Sequence, residues 1–173
     1  RTVNRRIPKW LSEIGIDHIT VKQSALNNQS LAKIKVALLP FNPKLTKIQL
    51  QALERHVKRG GKVIVCASTS KLLGNIMSVR PSARISTKRH GAWSHLTFTV
   101  KDELIPQTIY QHNWSLYPIR SNGKSTSIAF WHNEKGLKSQ EPALIKSQNG
   151  YWFSSILLDG DKKAKQQLLF SCI

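Results

Sequence analysis

A thiol stands where a buried strand should stop. In LERHVKRGGKVIVCASTS, residues 53–70, a helix end and a glycine pair lead into the apolar run KVIVC, which finishes at Cys66. A cysteine presented at the top of a sheet can act as a nucleophile, provided a basic neighbour generates the thiolate. The same position also suits a free cysteine behaving as a small apolar residue. The second cysteine, Cys172, completes neither a metal-ligand spacing nor a disulfide framework, so cysteine usage leaves the redox compartment open.

Other chemistry-bearing residues are scattered. His90 and His95 in KRHGAWSH have metal-ligand character, but no cysteine or carboxylate accompanies them in the sequence, which favours a loop histidine pair and no metal. A glycosidase needs two facing carboxylates. Of the nine acids, Glu13 and Glu54 fall on helices, Asp102 and Glu103 are adjacent, and Asp159 and Asp161 stand at a helix start, where they suit its dipole. No pair stands out, and no cofactor is expected. Five tryptophans remain, and indole rings stack on sugars as well as on bases. Trp10 lies on the apolar face of a helix, and Trp131 and Trp152 lie in apolar strands, so these three read as core. Trp93 and Trp114 fall in loop-like sequence and, with the cations Lys88 and Arg89, are the candidate ligand-binding residues.

The elements that would position them follow from periodicity. TVNRRIPKWLSEI places Val3, Ile7, Trp10, Leu11 and Ile14 on one helical face, with Gly15 as a stop; Pro8 implies a kink or a start near Ile7. IDHITVK alternates as a strand does. KIKVALLPFNP is a more continuous apolar run ended by prolines, as in a strand covered on both faces. Thr46 and Gln49 form a capping box for a helix whose stripe is Ile48, Ala52, Leu53 and Val57, and Gly60-Gly61 supplies its C-terminal turn. KVIVCAS reads as a buried strand and SKLLGNIM as a short helix. This succession predicts a flavodoxin-like open α/β sheet, mainly parallel, with helices on both faces. Beyond Pro81 come the extended pieces SHLTFTV, STSIAFWH, PALIKS and GYWFSSILL, with turns at Asn122-Gly123, Glu134-Lys135-Gly136 and Asn149-Gly150, and a last helix in DKKAKQQLLFSCI. With no interdomain linker, residues 1–173 read as one domain whose second half adds strands to the first half's sheet.

Composition sets the outer limits. A chain of 173 residues can bury about 70% of its unfolded surface without disulfides. Its apolar runs are too short to cross a bilayer. Twenty-seven lysines and arginines against nine acids give a formal charge of +18 and a pI near 10.4, which favours association with polyanions such as nucleic acid or acidic polysaccharide. No helix-turn-helix, zinc set or RNA-binding signature accompanies that charge.

The stretch VALLPFNPKLTKIQLQALERHVKRGGKVIV resembles the strand, helix, Gly-Gly, strand unit of class I glutamine amidotransferase-like domains. It is closest in character to the non-catalytic versions attached to glycoside hydrolases, as in β-galactosidase trimerisation domains and the C-terminal domains of family-10-like glycosyl hydrolases. STSIAFWHNEKG and EPALIKSQNGYWFSSILLDGDKKAKQQLL are similar to the end of such domains. The resemblance covers most of residues 10–170 through pattern and spacing. It implies an upstream first strand, hence a longer parent chain, and a place outside the cytoplasm or at the cell surface if a glycoside hydrolase is the partner. It also implies a nucleophile in Gly-x-Cys-x-Gly, with a histidine and an acid just before the last helix. Here the window is Ile64-Val65-Cys66-Ala67-Ser68, and LLDGDKK has Asp159 and Asp161 but no histidine. The resemblance therefore implies a non-catalytic accessory or assembly domain, partnered by its own catalytic domain or by further copies, with carbohydrate as ligand. A basic nucleic-acid-binding module is the alternative. An active cysteine hydrolase using Cys66 would need a histidine brought from far along the chain.

Overall fold

The computed structural model describes residues 2–42 and 44–173, with side chains of Thr2, Val3 and Asn4 outside the description. Val3 on the first helix's apolar face, and Pro43 as a strand stop, therefore lie outside the described residues.

A seven-stranded sheet forms the centre, in the order β1 (Val36–Leu39), β2 (Lys62–Cys66), β11 (Gly150–Phe153), β10 (Lys138–Ser147), β9 (Ser125–His132), β5 (Trp93–Phe98) and β6 (Thr108–Asn113). β1, β2 and β11 run parallel, and the remaining neighbours are antiparallel. The expected open α/β sheet is present, and the second half of the chain does extend the first half's sheet. Two short pairs lie beside it: β3 (Val79–Pro81) with β8 (Ile119–Ser121), and β4 (Ile85–Ser86) with β7 (Ser115–Leu116).

Strand alternation sends successive side chains into separate cores on the two faces of the sheet. Along β2, Ile64 and Cys66 join one cluster with α1 (Thr2–Glu13) and α4 (Lys162–Cys172), through Ile7, Trp10, Leu168 and Leu169. Val63 and Val65 join the other with α2 (Lys47–Lys58) and α3 (Lys71–Met77), through Leu50, Leu53, Leu73 and Met77. Trp10, Trp131 and Trp152 are core residues.

Local signals account for most boundaries. Thr46 Oγ1 accepts from the Gln49 N–H while the Gln49 side chain accepts from the Thr46 N–H, which completes the capping box of α2. Ile48, expected in the apolar stripe, is 69% exposed; the buried face of α2 runs instead through Gln49, Leu50, Ala52, Leu53 and His56. α1 is helical from Thr2 straight through Pro8, rather than starting near Ile7. IDHITVK forms no strand: residues 17–22 are exposed and pair with nothing among the described residues, so alternation there has no partner to act on. β6, which the sequence pattern does not mark as a strand, turns the polar Gln111 and Asn113 inward.

Candidate functional site

The strand-to-helix corner comes first. Cys66 is the last residue of β2, paired with Phe153, and its thiol packs into the α1/α4 core with only 1% of the residue exposed. Burial, helped by Cys172 nearby, pushes that thiol up to about 12, so it stays protonated at neutral pH. Among the described residues no histidine or acid bonds to it. The sharp turn falls one residue later. Ala67 takes φ +52°, fully buried, and its N–H donates to the Phe153 carbonyl at 3.0 Å. Ser70 then caps α3 by accepting from the Leu73 N–H. A left-handed non-glycine residue costs roughly 1 kcal/mol or more and marks a corner that the surrounding structure enforces. The corner is therefore at Ala67 rather than Cys66, and the side chain presented there is a methyl group, with no nucleophilic atom.

A cleft of about 460 Å³ opens at the carboxyl ends of the parallel strands. Phe41, beyond β1, forms one side with Tyr117, the rings edge-on at 6.3 Å. Ser155, Ile156 and Leu158, beyond β11, form the base, and the end of β6 supplies His112, Asn113 and the 53% exposed Trp114. The pairing of Ile85 with Leu116 and Ser86 with Ser115 brings Arg84 to the same rim. In open α/β sheets this end is where ligands bind.

Beneath the cleft lies a buried polar network centred on Gln111. Its Oε1 accepts from the Leu158 N–H at 2.8 Å, and its Nε2 donates to the Ile156 carbonyl and Ser155 Oγ, both at 2.9 Å, and to Asn113 Oδ1 at 3.1 Å. The backbone groups of Leu158 and Ile156 fix which end of the Gln111 amide is which, and this in turn fixes Asn113 with its oxygen toward Gln111. The Asn113 amide nitrogen is left without a partner.

Of the residues singled out from sequence, Trp114 alone lines this cleft. Thr87 N–H donates to the Trp114 carbonyl at 3.0 Å, which holds the exposed Lys88 and Arg89 just beyond the indole wall. Trp93 is half-buried against the α1/α4 core and does not join them. Arg84, Asn113, Tyr117 and Phe41 were not foreseen; the legible trace was the period-2 pattern Ile109, Gln111, Asn113 in TIYQHN.

Strand register gathers three histidines, and the turn before β5 adds His90. His95 on β5 pairs with His132 on β9, their rings stacked at 5.3 Å, and His112 on β6 stacks with His90 at 5.3 Å. His90 lies edge-on to Trp114 at 5.6 Å, and Glu134 reaches to 3.6 Å from its Nδ1. Among the described residues no group of three or more His, Cys, Asp or Glu able to hold a metal forms. Burial, with His132 and His112 close by, holds the His95 imidazole below its ordinary range.

No protein-family model and no curated protein matches the chain. Solved structures do. A cytoplasmic protein of Salmonella typhimurium LT2 matches with a TM-score of 0.72 at 11% identity, over 98% of this chain and 86% of that one. A glutamine amidotransferase of Thermotoga maritima matches with a TM-score of 0.56 at 10% identity, over 95% and 74%. The GH42 β-galactosidase Gan42B matches with a TM-score of 0.61 at 13% identity; 97% of this chain corresponds to 25% of that chain. The chain shares its fold with these proteins. Among the described residues, no helix is long and apolar enough to cross a membrane.

Proposed function

We propose that this chain is a non-catalytic amidotransferase-like domain, residues 1–173 of a longer polypeptide, serving as an accessory or assembly unit of a carbohydrate-active, glycoside-hydrolase-like protein. The observation that carries the non-catalytic reading is the corner itself: a methyl group at Ala67, with the neighbouring thiol buried and held protonated. Support for the carbohydrate setting comes from likeness of fold to one quarter of a β-galactosidase chain. Fold likeness is an analogy for function, which lives in the site. A polyanion-binding role is the second reading, favoured by the +18 charge.

Iodoacetamide labelling followed by mass spectrometry tests the first reading. At neutral pH, Cys66 is expected to stay unlabelled for as long as it takes the same thiol to react fully in urea, and Cys66→Ser is expected to leave any activity of the parent protein unchanged. Rapid labelling of native Cys66, with activity lost in the variant, would replace this reading by a cysteine hydrolase.

A further inference from the structure

We infer that the cleft bounded by Phe41, Arg84, Asn113, Trp114, Tyr117 and Ser155 binds a sugar ring carrying a carboxylate, the chemistry of a uronic-acid residue. The choice of a sugar among ring-bearing anions rests on the carbohydrate reading above; the remaining specification comes from the cleft.

Three observations define the ligand. First, the cleft offers aromatic surface: Trp114 is half exposed, Tyr117 and Phe41 also line the cleft, and apolar faces of this kind stack on the C–H faces of a pyranose ring. Second, one buried polar group in the lining is an unmet donor. The Asn113 amide nitrogen is free because Gln111 fixes the oxygen inward, and Asn113 itself is 93% buried, so an unmet donor there calls for an acceptor from a ligand. Third, Arg84 brings a guanidinium to the rim, and no carboxylate lines the cleft among the described residues. A uronic acid keeps ring hydroxyls that the Ser115, Ser155 and Tyr117 hydroxyls can serve, while its carboxylate needs donors and a cation, which Asn113 and Arg84 supply. The cleft volume of about 460 Å³ fits within the usual range for small-molecule sites. The net charge of +18 raises the local concentration of any polyuronate.

The test titrates the 173-residue chain with trigalacturonate, its methyl ester and a single-stranded DNA oligomer, at low and at physiological salt, using wild type, Trp114→Ala, Arg84→Gln and Asn113→Asp. Trigalacturonate is expected to retain affinity at physiological salt. It should weaken about tenfold or more in Trp114→Ala through lost stacking and to a similar degree in Arg84→Gln. Asn113→Asp keeps the oxygen that Gln111 binds but turns the free donor into an acceptor, and should abolish uronate binding. The methyl ester should bind weakly to every form. Arg84 and Trp114 are exposed, so those two variants stay informative if Asn113→Asp melts early. Salt-resistant, Trp114-dependent binding of DNA instead of uronate would overturn the assignment in favour of a nucleic-acid reader. Equal, salt-labile binding of both anions, indifferent to Trp114, would reduce it to bulk charge. Failure of uronate binding with Cys66 still inert overturns the cleft assignment and leaves the accessory role standing.

Discussion

The Lys165 ammonium, buried on α4, donates a hydrogen bond to the Leu158 carbonyl at 2.9 Å. It also reaches the carbonyls of Gly160 and of Tyr110 on β6, tying the last helix to the segment that floors the cleft. Lys165→Met would strip three carbonyls of a shared donor, and a loss of about 1–3 kcal/mol is expected in urea unfolding at pH 7. The pH dependence has a definite sign. Burial pulls Lys165 from 10.5 down to about 8, so across that window the unfolded chain holds more protons and this group's contribution to stability rises with pH. Cys66 and Cys172 act the other way, both lifted from 9 to about 12, which lowers stability above pH 9. Between pH 8 and 9 the stability of wild type relative to Lys165→Met should therefore increase. A flat difference would refute a buried charge at this position.

His95 gives a second dependence, at the acid end. With its folded pKa below 6.5, chiefly through burial and then through His132 and His112, the unfolded chain takes up the proton first as pH falls. Stability from this group is intact above pH 6.5 and drops below it. The urea midpoint of wild type should fall more steeply from pH 7 to pH 5 than that of His95→Gln. The surrounding groups on β6 and β9, Tyr110, His112 and His132, remain in both forms, so parallel curves would count against the assignment.

Ala67 and Cys66 can be separated by stability. Ala67→Gly relieves a left-handed alanine, worth about 1–2 kcal/mol, against the greater chain entropy of glycine, roughly 0.5–1 kcal/mol. Thermal melts should show Ala67→Gly equal to or slightly above wild type, and Ala67→Val well below it. If Ala67→Gly melts markedly lower, the corner lies elsewhere.

Gly60 and Gly61 end α2 for different reasons. Gly60 has φ +87° with open space around it, so Gly60→Ala should cost about 1 kcal/mol from backbone conformation alone. At Gly61 a Cβ would fall 2.3 Å from the buried His56 ring, which hydrogen-bonds the Lys62 carbonyl at 3.2 Å. Displacing that ring makes Gly61→Ala the costlier change, at about 1–3 kcal/mol. Matched urea titrations of the two variants decide, and the reverse order would mean that His56 yields easily.

The sequence is most legible where the signal is local. The Thr46–Gln49 box, the Gly60 turn and the apolar runs of β2 and β9 are set by residues a few positions apart, and each forms where expected. The cleft is non-local. Arg84 reaches the cleft that Trp114 lines through the β4–β7 pairing, and His95, His112 and His132 come together through strand register, which no spacing along the chain records. β6 was hidden because its inward Gln111 and Asn113 look like loop residues until Ser155, Ile156 and Leu158 are seen to pair with Gln111. An apolar run shows that a strand ends, as β2 does at Cys66, without showing that Ala67 is the residue that turns left-handed.

The position of β1 carries one more consequence. It is the first strand of the sheet, bonded to β2 on one side, and among the described residues no strand occupies the other. Four residues long, flanked by Lys33, Lys35 and Pro40, it bears features that discourage intermolecular pairing. Mutual repulsion between molecules of charge +18 also opposes pairing of two such rims, and that repulsion is screened within about 10 Å at 0.1 M salt. Concentrated stocks should accordingly turn turbid as ionic strength rises, at temperatures where every molecule is still folded, so storage life would follow the buffer rather than the melting point.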